Sequence, residues 1–223
     1  MTTSPTAGGH SPQGRTRREP ADRRRELLDA AARLADEQGL DALTPAAVAS
    51  GAGASRALVF HYFGSTSGLR RAVVLEAVAE LERATVAPDD RPLADRPALA
   101  VAAFLDTVES RRRVWQDLWR GTLGDDPATQ EALAAVRAGL VLRMTTTAAT
   151  VGATPTSRWD LLVGGWVALV ENVTAAWLGG SDLTRAEIER LVLASTIVLV
   201  PELSEPARGV VLGIARANSG SAG

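Results

Sequence analysis

Apolar residues recur along most of the chain at three- and four-residue intervals, the spacing that gathers side chains on one face of a helix. Leu27, Leu28, Ala31, Leu34 and Ala35 make such a stripe within residues 22–38, with Arg23, Arg24 and Glu37 turned away. Gly39 follows, where a helix commonly ends in a left-handed residue. The pattern then breaks into short pieces. Thr44 is a good N-cap and Pro45 suits a first helical position, but Gly51 and Gly53 stop that helix after about two turns. Ser55 offers a second cap before a helix of about two turns, Arg56 to Tyr62. Ser65 caps a third, which runs to about Val86 with Leu69, Val73, Ala77 and Leu81 in register. Gly51, Ala52 and Gly53 are expected to let the two short helices cross closely, because a Cβ there would collide or force an awkward φ.

The Pro/Asp-rich stretch 87–97 is the strong internal boundary. Beyond it helical spacing continues over Asp95–Ser110, over Arg112–Leu123 with Trp115 and Trp119 one turn apart, and from Asp126–Pro127 through Leu133, Val136, Leu140, Met144 and Val151. Residues 156–178 carry Trp159, Val163, Trp166, Val170, Val173 and Trp177. Thr184 and Glu187 form a capping box ahead of Ile188, Leu191, Val192 and Val198, and Pro201 closes that helix. A weaker helix follows over Glu205–Ala217. No strand-like alternation is present, so the expected fold is all-α: an N-terminal three-helix helix-turn-helix domain and a C-terminal helical ligand-binding and dimerisation domain. The expected boundaries are a disordered basic tail at 1–20, the first domain with its connecting helix at 21–86, and the second at 93–217.

Two helices are apolar on more than one face. Between the tryptophans of 156–178 lie Leu161, Gly165, Ala168, Leu169 and Ala176, and the segment after Ile188 is similar. A helix apolar nearly all round has to be covered on both sides. The expected cover is a second copy: a homodimer joined by 156–178 and 186–200 as a four-helix bundle. The longest apolar runs, Leu161–Val170 and Leu191–Val200, are about half a membrane span, and the polar N-terminus has no signal core. A soluble, cytoplasmic protein with no membrane partner is expected.

Composition narrows the chemistry. The chain has no cysteine and only two histidines, His10 and His61, so thiolate and histidine-cluster metal sites are not expected, nor is any cofactor. No nucleophile elbow or phosphate loop is present, and an enzyme is not expected. The net charge of −2 hides an asymmetry: residues 1–75 carry ten arginines against seven acids, the remainder fourteen against nineteen. A basic end on an acidic body fits nucleic-acid binding at that end.

Two abutting helices too short to bury much by themselves are explained by a helix-turn-helix, in which the first braces and the second offers its N-terminal side chains to a DNA groove. Arg56, near the start of that second helix, is the best base reader, since a bidentate arginine–guanine pair discriminates by roughly 1–3 kcal/mol; pairing with phosphate alone is the alternative. Ser55 and Thr44 are placed to donate to phosphate as well as to cap. His61 is exposed by helical phase, for phosphate, base or no partner at all, and Tyr62 offers a phenolic hydroxyl. The arginines of the tail, Arg15, Arg17 and Arg18, could reach a minor groove as an arm does, or remain solvated. In the second domain, Phe104, Trp115, Trp119, Met144 and Trp166 are candidate pocket walls, each alternatively a plain core residue. Glu171 and Asn172 interrupt an apolar helix and need partners, whether a ligand, an arginine on a neighbouring helix or a twin subunit.

Three blocks of residues resemble the TetR family of bacterial transcriptional regulators over about residues 22–78. The first is Arg25, Leu28, Ala31, Ala32, Leu34 and the Glu37–Gly39 end; the second Thr44, Val48, Ala49, Ala52, Gly53 and Ser55; the third Val59, Phe60, Phe63, Gly64, Ser65 and Leu69. The resemblance implies a dimeric repressor of a double-stranded DNA operator, with a C-terminal domain that binds an unidentified small-molecule effector. Family members usually carry Tyr at the position of Phe60 and Lys at that of Thr66, both phosphate contacts, and often Gly at that of Ala57. Thr66 can still donate a hydrogen bond, but the grip on phosphate is lighter than usual. The alternative is a helical dimer that binds small molecules or a protein partner and has weak or lost DNA binding.

Overall fold

The computed structural model describes residues 20–86, 90–150, 156–205 and 207–219. Among the described residues there are ten α-helices and no strand. The first four are α1 (Pro20–Gln38), α2 (Pro45–Gly51), α3 (Arg56–Phe63) and α4 (Thr66–Ala84). Their starts are fixed by side chains close in sequence. Thr44 accepts the Ala47 N–H at 3.2 Å, Ser55 that of Leu58 at 3.2 Å, and Ser65 that of Gly68 at 2.9 Å. Each satisfies a backbone donor that the helix itself leaves unpaired. Leu27, Ala31, Leu40, Leu43, Val59 and Leu69 close the small core between these helices, each with no exposed surface.

Of the two reasons expected for glycine at Gly51 and Gly53, a collision or an awkward φ, only the second holds, and at Gly53 alone. A Cβ at either would meet nothing within 4 Å, so close crossing does not require them. Gly53 is needed for its left-handed backbone, φ +57°. The close approach is instead at Gly68, where an added Cβ would lie 2.1 Å from the Phe63 carbonyl oxygen and force α3 and α4 apart.

α4 is the strut. It packs on α1 and α3 and also on α5 (Arg96–Ser110), α6 (Arg112–Trp119) and α7 (Pro127–Thr150). α8 (Ser157–Leu178) lies against α6, α7 and α9 (Arg185–Ser195), and α10 (Ala207–Ser219) packs on α9. α6 stops at Trp119, short of Leu123, in a turn with left-handed Gly121 and Leu123. The capping box of Thr184 and Glu187 forms as expected. The helix it opens does not stay α to Val200: it tightens into a 3-10 segment over Thr196–Glu202. Ser195 and Thr196 donate back to the Val192 and Leu193 carbonyls, and Pro201 has no N–H to continue an α ladder. The tail arginines, Val151 and residues 87–89 of the boundary lie outside the described residues.

α8 merges what looked like half a membrane span into one helix of 22 residues, long and apolar enough by length and composition to cross a membrane. A core helix meets the same test, and α8 sends Trp159, Val163, Trp166, Val170 and Trp177 into the protein. Its other side is exposed: Leu161, Gly164, Gly165, Ala168, Leu169, Asn172 and Ala176. Leu191, Ile197 and Val198 are exposed nearby on α9 and the 3-10 segment.

Candidate nucleic-acid interface and effector domain

Of the candidate DNA-facing residues, Thr44, Ser55 and Arg56 lie at the N-terminal ends of α2 and α3, His61 and Tyr62 in the last turn of α3, and Thr66 at the start of α4. Val59 is fully buried and pins α3 to the core, which leaves Ser55, Arg56, Phe60 and His61 exposed. Thr44 is exposed at the start of α2. Ser55 and Thr44 use an oxygen lone pair for capping, so each hydroxyl proton stays free to donate. The Arg56 guanidinium lies over the Phe60 ring, 5.4 Å from its centroid, one turn along the same helix. Tyr62 is half-buried, its ring edge-on to His61 at 5.2 Å and packed against the core. Thr66 is half-buried in the first position of α4. Arg24 of α1 covers Phe63 at 5.3 Å. Four of the six predicted residues therefore present themselves outward, and Tyr62 and Thr66 lie partly behind them.

Side chains of α4, of α6 and of the residues just before α6 and α7 tie this head to the rest of the chain. Asp117 of α6 accepts the Leu40 N–H at 2.7 Å, capping the 3-10 turn Leu40–Ala42 that follows α1. Gly39 makes room: its φ is +87°, and a Cβ there would meet Asp117 Oδ2 at 2.8 Å. Arg111, just before α6 and buried, donates to Asp36 of α1 at 3.1 Å and lies 3.8 Å from Glu80 of α4. Burial pushes the Asp36 carboxyl up despite the opposing pull of Arg111. Arg71 of α4 forks onto Asp126 at the start of α7, and Thr129 donates to the same carboxylate through N–H and hydroxyl. These hydrogen bonds, Arg71's first, lower the Asp126 carboxyl to about 2.

In the C-terminal domain the predicted pocket walls are core or nearly so. Trp115 is buried, tilted against Trp119 at 5.4 Å; Trp166 is buried and donates its indole N–H to Ser195 at 2.9 Å. Phe104, Trp119 and Met144 are half-buried against that core. Glu171 finds the neighbouring-helix arginine: Arg137 of α7 donates to both its oxygens, at 2.8 and 2.9 Å. Asn172 does not join it. One residue on, the helix has turned about 100°, and Asn172 lies on the exposed outer side of α8. Two concavities lie elsewhere: an open groove of about 590 Å³ between the start of α5 and α10, and one of about 440 Å³ between α7 and α8. No predicted effector residue lines either. Among the described residues no three His, Asp or Glu side chains converge to hold a metal ion.

Comparison with known proteins decides the family. Residues 27–73 match the family described as bacterial regulatory proteins, tetR family, and residues 93–199 match the tetracyclin repressor-like C-terminal domain. The chain belongs to the TetR family. A TetR-family transcriptional regulator from Streptomyces coelicolor superimposes with a TM-score of 0.75 at 25% identity, over 91% of this chain and 90% of that one. A TetR-family regulator from Marinobacter aquaeolei shares the fold, TM-score 0.64 at 18% identity over 87% and 98%. The HTH-type transcriptional regulator BetI of Burkholderia thailandensis is 38% identical over 103 residues, 44% of this chain and 53% of that protein. The chain spans about half the length of the curated relatives it matches.

Within this TetR-family chain, the departures fall on the DNA side. Phe60 has no hydroxyl, and its exposed ring carries Arg56 instead. Ala57 is exposed beside Arg56, where the family often has glycine. The ties between head and body, through Asp117, Arg111 and the Arg71–Asp126 pair, are not among the sequence expectations. An aspartate before Pro127 did signal a cap; nothing local signals that Arg71, 55 residues earlier, binds it.

Proposed function

We propose that this chain is a ligand-responsive, DNA-binding repressor that acts in the cytoplasm as a homodimer and leaves its operator when a small apolar or aromatic molecule binds the C-terminal domain. The observation that carries the reading is the pairing of a buried Val59 with exposed Thr44, Ser55, Arg56 and His61, a set of donors at the ends of two short helices. In this reading Arg56 contacts base edges, and Thr44, Ser55, His61, Tyr62 and Thr66 contact the backbone. The head comprises residues 21–86 and the effector and dimer domain residues 93–217. Exposed Leu161, Leu169, Leu191, Ile197 and Val198 support pairing through 156–178 and 186–200, since apolar side chains clustered on neighbouring helices favour burial. A twofold pair would set two α3 helices about one DNA turn, roughly 34 Å, apart.

The missing hydroxyl at Phe60 favours a second reading, a helical dimer that has lost tight DNA binding. A gel-shift against the chain's own upstream region at two salt concentrations separates the two. Operator binding weakens steeply with salt yet survives competitor DNA. Shifts that vanish with competitor at both salts would refute the repressor and support the second reading.

A further inference from the structure

Among the described residues of α1 to α4 and the turns between them, Phe60 is the one large apolar side chain left exposed, at 37%, whereas its neighbour Val59 is fully buried. A lone exposed apolar residue needs no explanation by itself. This one stands on the outer face of α3, with Arg56 and Ala57 one turn before it and His61 beside it, all exposed. The helix is anchored by other residues, since Val59 is buried in the core and Phe63 packs half-buried against it. The ring cannot hydrogen-bond a phosphate, having neither donor nor acceptor. The Arg56 guanidinium lies over one face of it, 5.4 Å from the centroid, and the exposed 37% is what remains with the arginine in place.

In a DNA major groove a hydrocarbon surface has one good complement. Base edges there present hydrogen-bond donors and acceptors, and thymine alone adds an apolar group, its C5 methyl. A ring pressed on the amino group of cytosine or adenine strips that donor of water and returns no hydrogen bond. Pressed on a thymine methyl, the same ring buries apolar surface on both partners. Spacing decides which base pair it meets. Arg56 and Phe60 are four residues apart, roughly 6 Å along α3, and stacked base pairs are roughly 3.4 Å apart. With α3 lying along the groove, the ring reaches a base pair within about two steps of the one that Arg56 reads.

We propose that Phe60 is a specificity-determining residue that reads the C5 methyl group of a thymine close to the base contacted by Arg56. The proposal rests on the reading of α3 as the helix that enters the groove, and it names the base that the apolar position on that helix selects. One ring then serves twice, holding the guanidinium on one face and meeting the methyl with its open surface.

The test is a gel-shift of the full chain with two versions of its own upstream region, one made with thymidine and one with deoxyuridine throughout. The two DNAs differ only in their C5 methyl groups. Burying one methyl corresponds to about a four-fold change in affinity, so wild type is expected to bind the thymine fragment about four-fold tighter for each half-site it contacts. Phe60→Ala is expected to lose that margin, and comparing the two proteins removes whatever methyl loss does to the DNA's own shape. Phe60→Leu keeps apolar surface and is expected to retain part of the margin. Equal binding of both fragments by wild type, or a margin that Phe60→Ala leaves intact, overturns the proposal. So does a Phe60→Ala protein that unfolds, since the ring would then hold structure. A wild type that binds neither fragment above competitor refutes the regulatory reading itself, and the proposal with it.

Discussion

Replacing Asp117 by alanine removes a contact that joins the DNA-reading head to the body. Leu40 has no exposed surface, so its N–H depends on the Asp117 carboxylate that covers it. A hydrogen bond to a charged acceptor contributes about 1.5–3 kcal/mol, and an orphaned buried donor costs a comparable amount, so Asp117→Ala is expected to destabilise by about 2 kcal/mol. For a chain of this length that corresponds to a fall of roughly 4–8 °C in melting temperature. Asp117→Asn keeps an acceptor oxygen without the charge and is expected to lose about half as much. Gly39 supplies a cross-check. Its backbone, φ 87° and ψ 170°, is a conformation reserved almost wholly for glycine, so Gly39→Ala costs about 1–3 kcal/mol for strain alone. In wild type the new methyl also collides with Asp117 Oδ2; in Asp117→Ala it does not. The double variant should therefore be less destabilised than the two singles added together. Circular dichroism melts measure all four proteins, and hydrogen exchange at the Leu40 amide reports the contact directly. An Asp117→Ala protein melting within about 1 °C of wild type, or strictly additive effects, would refute the reasoning.

Four further outcomes are expected. Phe60→Tyr keeps a ring under Arg56 and restores a hydroxyl, so gel-shift affinity should rise, whereas Phe60→Leu frees the guanidinium and should weaken operator preference about two- to five-fold, the worth of an exposed cation–π contact. In the same assay Arg56→Ala should flatten discrimination between operator and competitor DNA, while Tyr62→Phe weakens both alike. The Asp126 carboxyl, held at about 2 against an ordinary 3.8, stabilises the fold above the ordinary value and loses that contribution as pH falls toward 2; Asp126→Asn should flatten melting temperature across that window, measured by pH-dependent melts. Leu191→Asp combined with Val198→Asp should convert dimer to monomer in light scattering, because both side chains are exposed on the proposed subunit face.

What the sequence made legible is what is local. Thr44, Ser55, Ser65 and the Thr184–Glu187 box each act on an N–H three residues away, and a reader of the chain sees both partners together. The same holds for the core stripes, whose helical phase survives folding unchanged. Contacts between domains leave no such trace. Leu40 and Asp117 are 77 residues apart, and Asp36 and Arg111 are 75 apart; Asp117, Asp36 and Arg111 each look by themselves like an ordinary surface polar group. Glu171 and Asn172 show the finer limit. Both interrupt an apolar run and both demand partners on composition alone, yet only the rotation of α8 decides that Glu171 meets Arg137 while Asn172 faces outward.

The distribution of contacts on α6 gives a physical route between the two ends of the protein. Arg111 and Asp117 reach toward the head, to Asp36 and the Leu40 N–H, while Arg112 and Gln116 reach the other way, both to the carbonyl that ends α8. Trp115 lies between them with its indole N–H unsatisfied. A helix of eight residues held on both sides at so many points has little freedom to move without breaking one set. A movement of α6 toward α8 would stretch the 2.7 Å hydrogen bond to Leu40 or loosen the Arg111 pair, and either change would reach α1 directly. Because tightly packed elements shift between discrete arrangements rather than deform continuously, a shift of α6 would pass to the head rather than be absorbed locally.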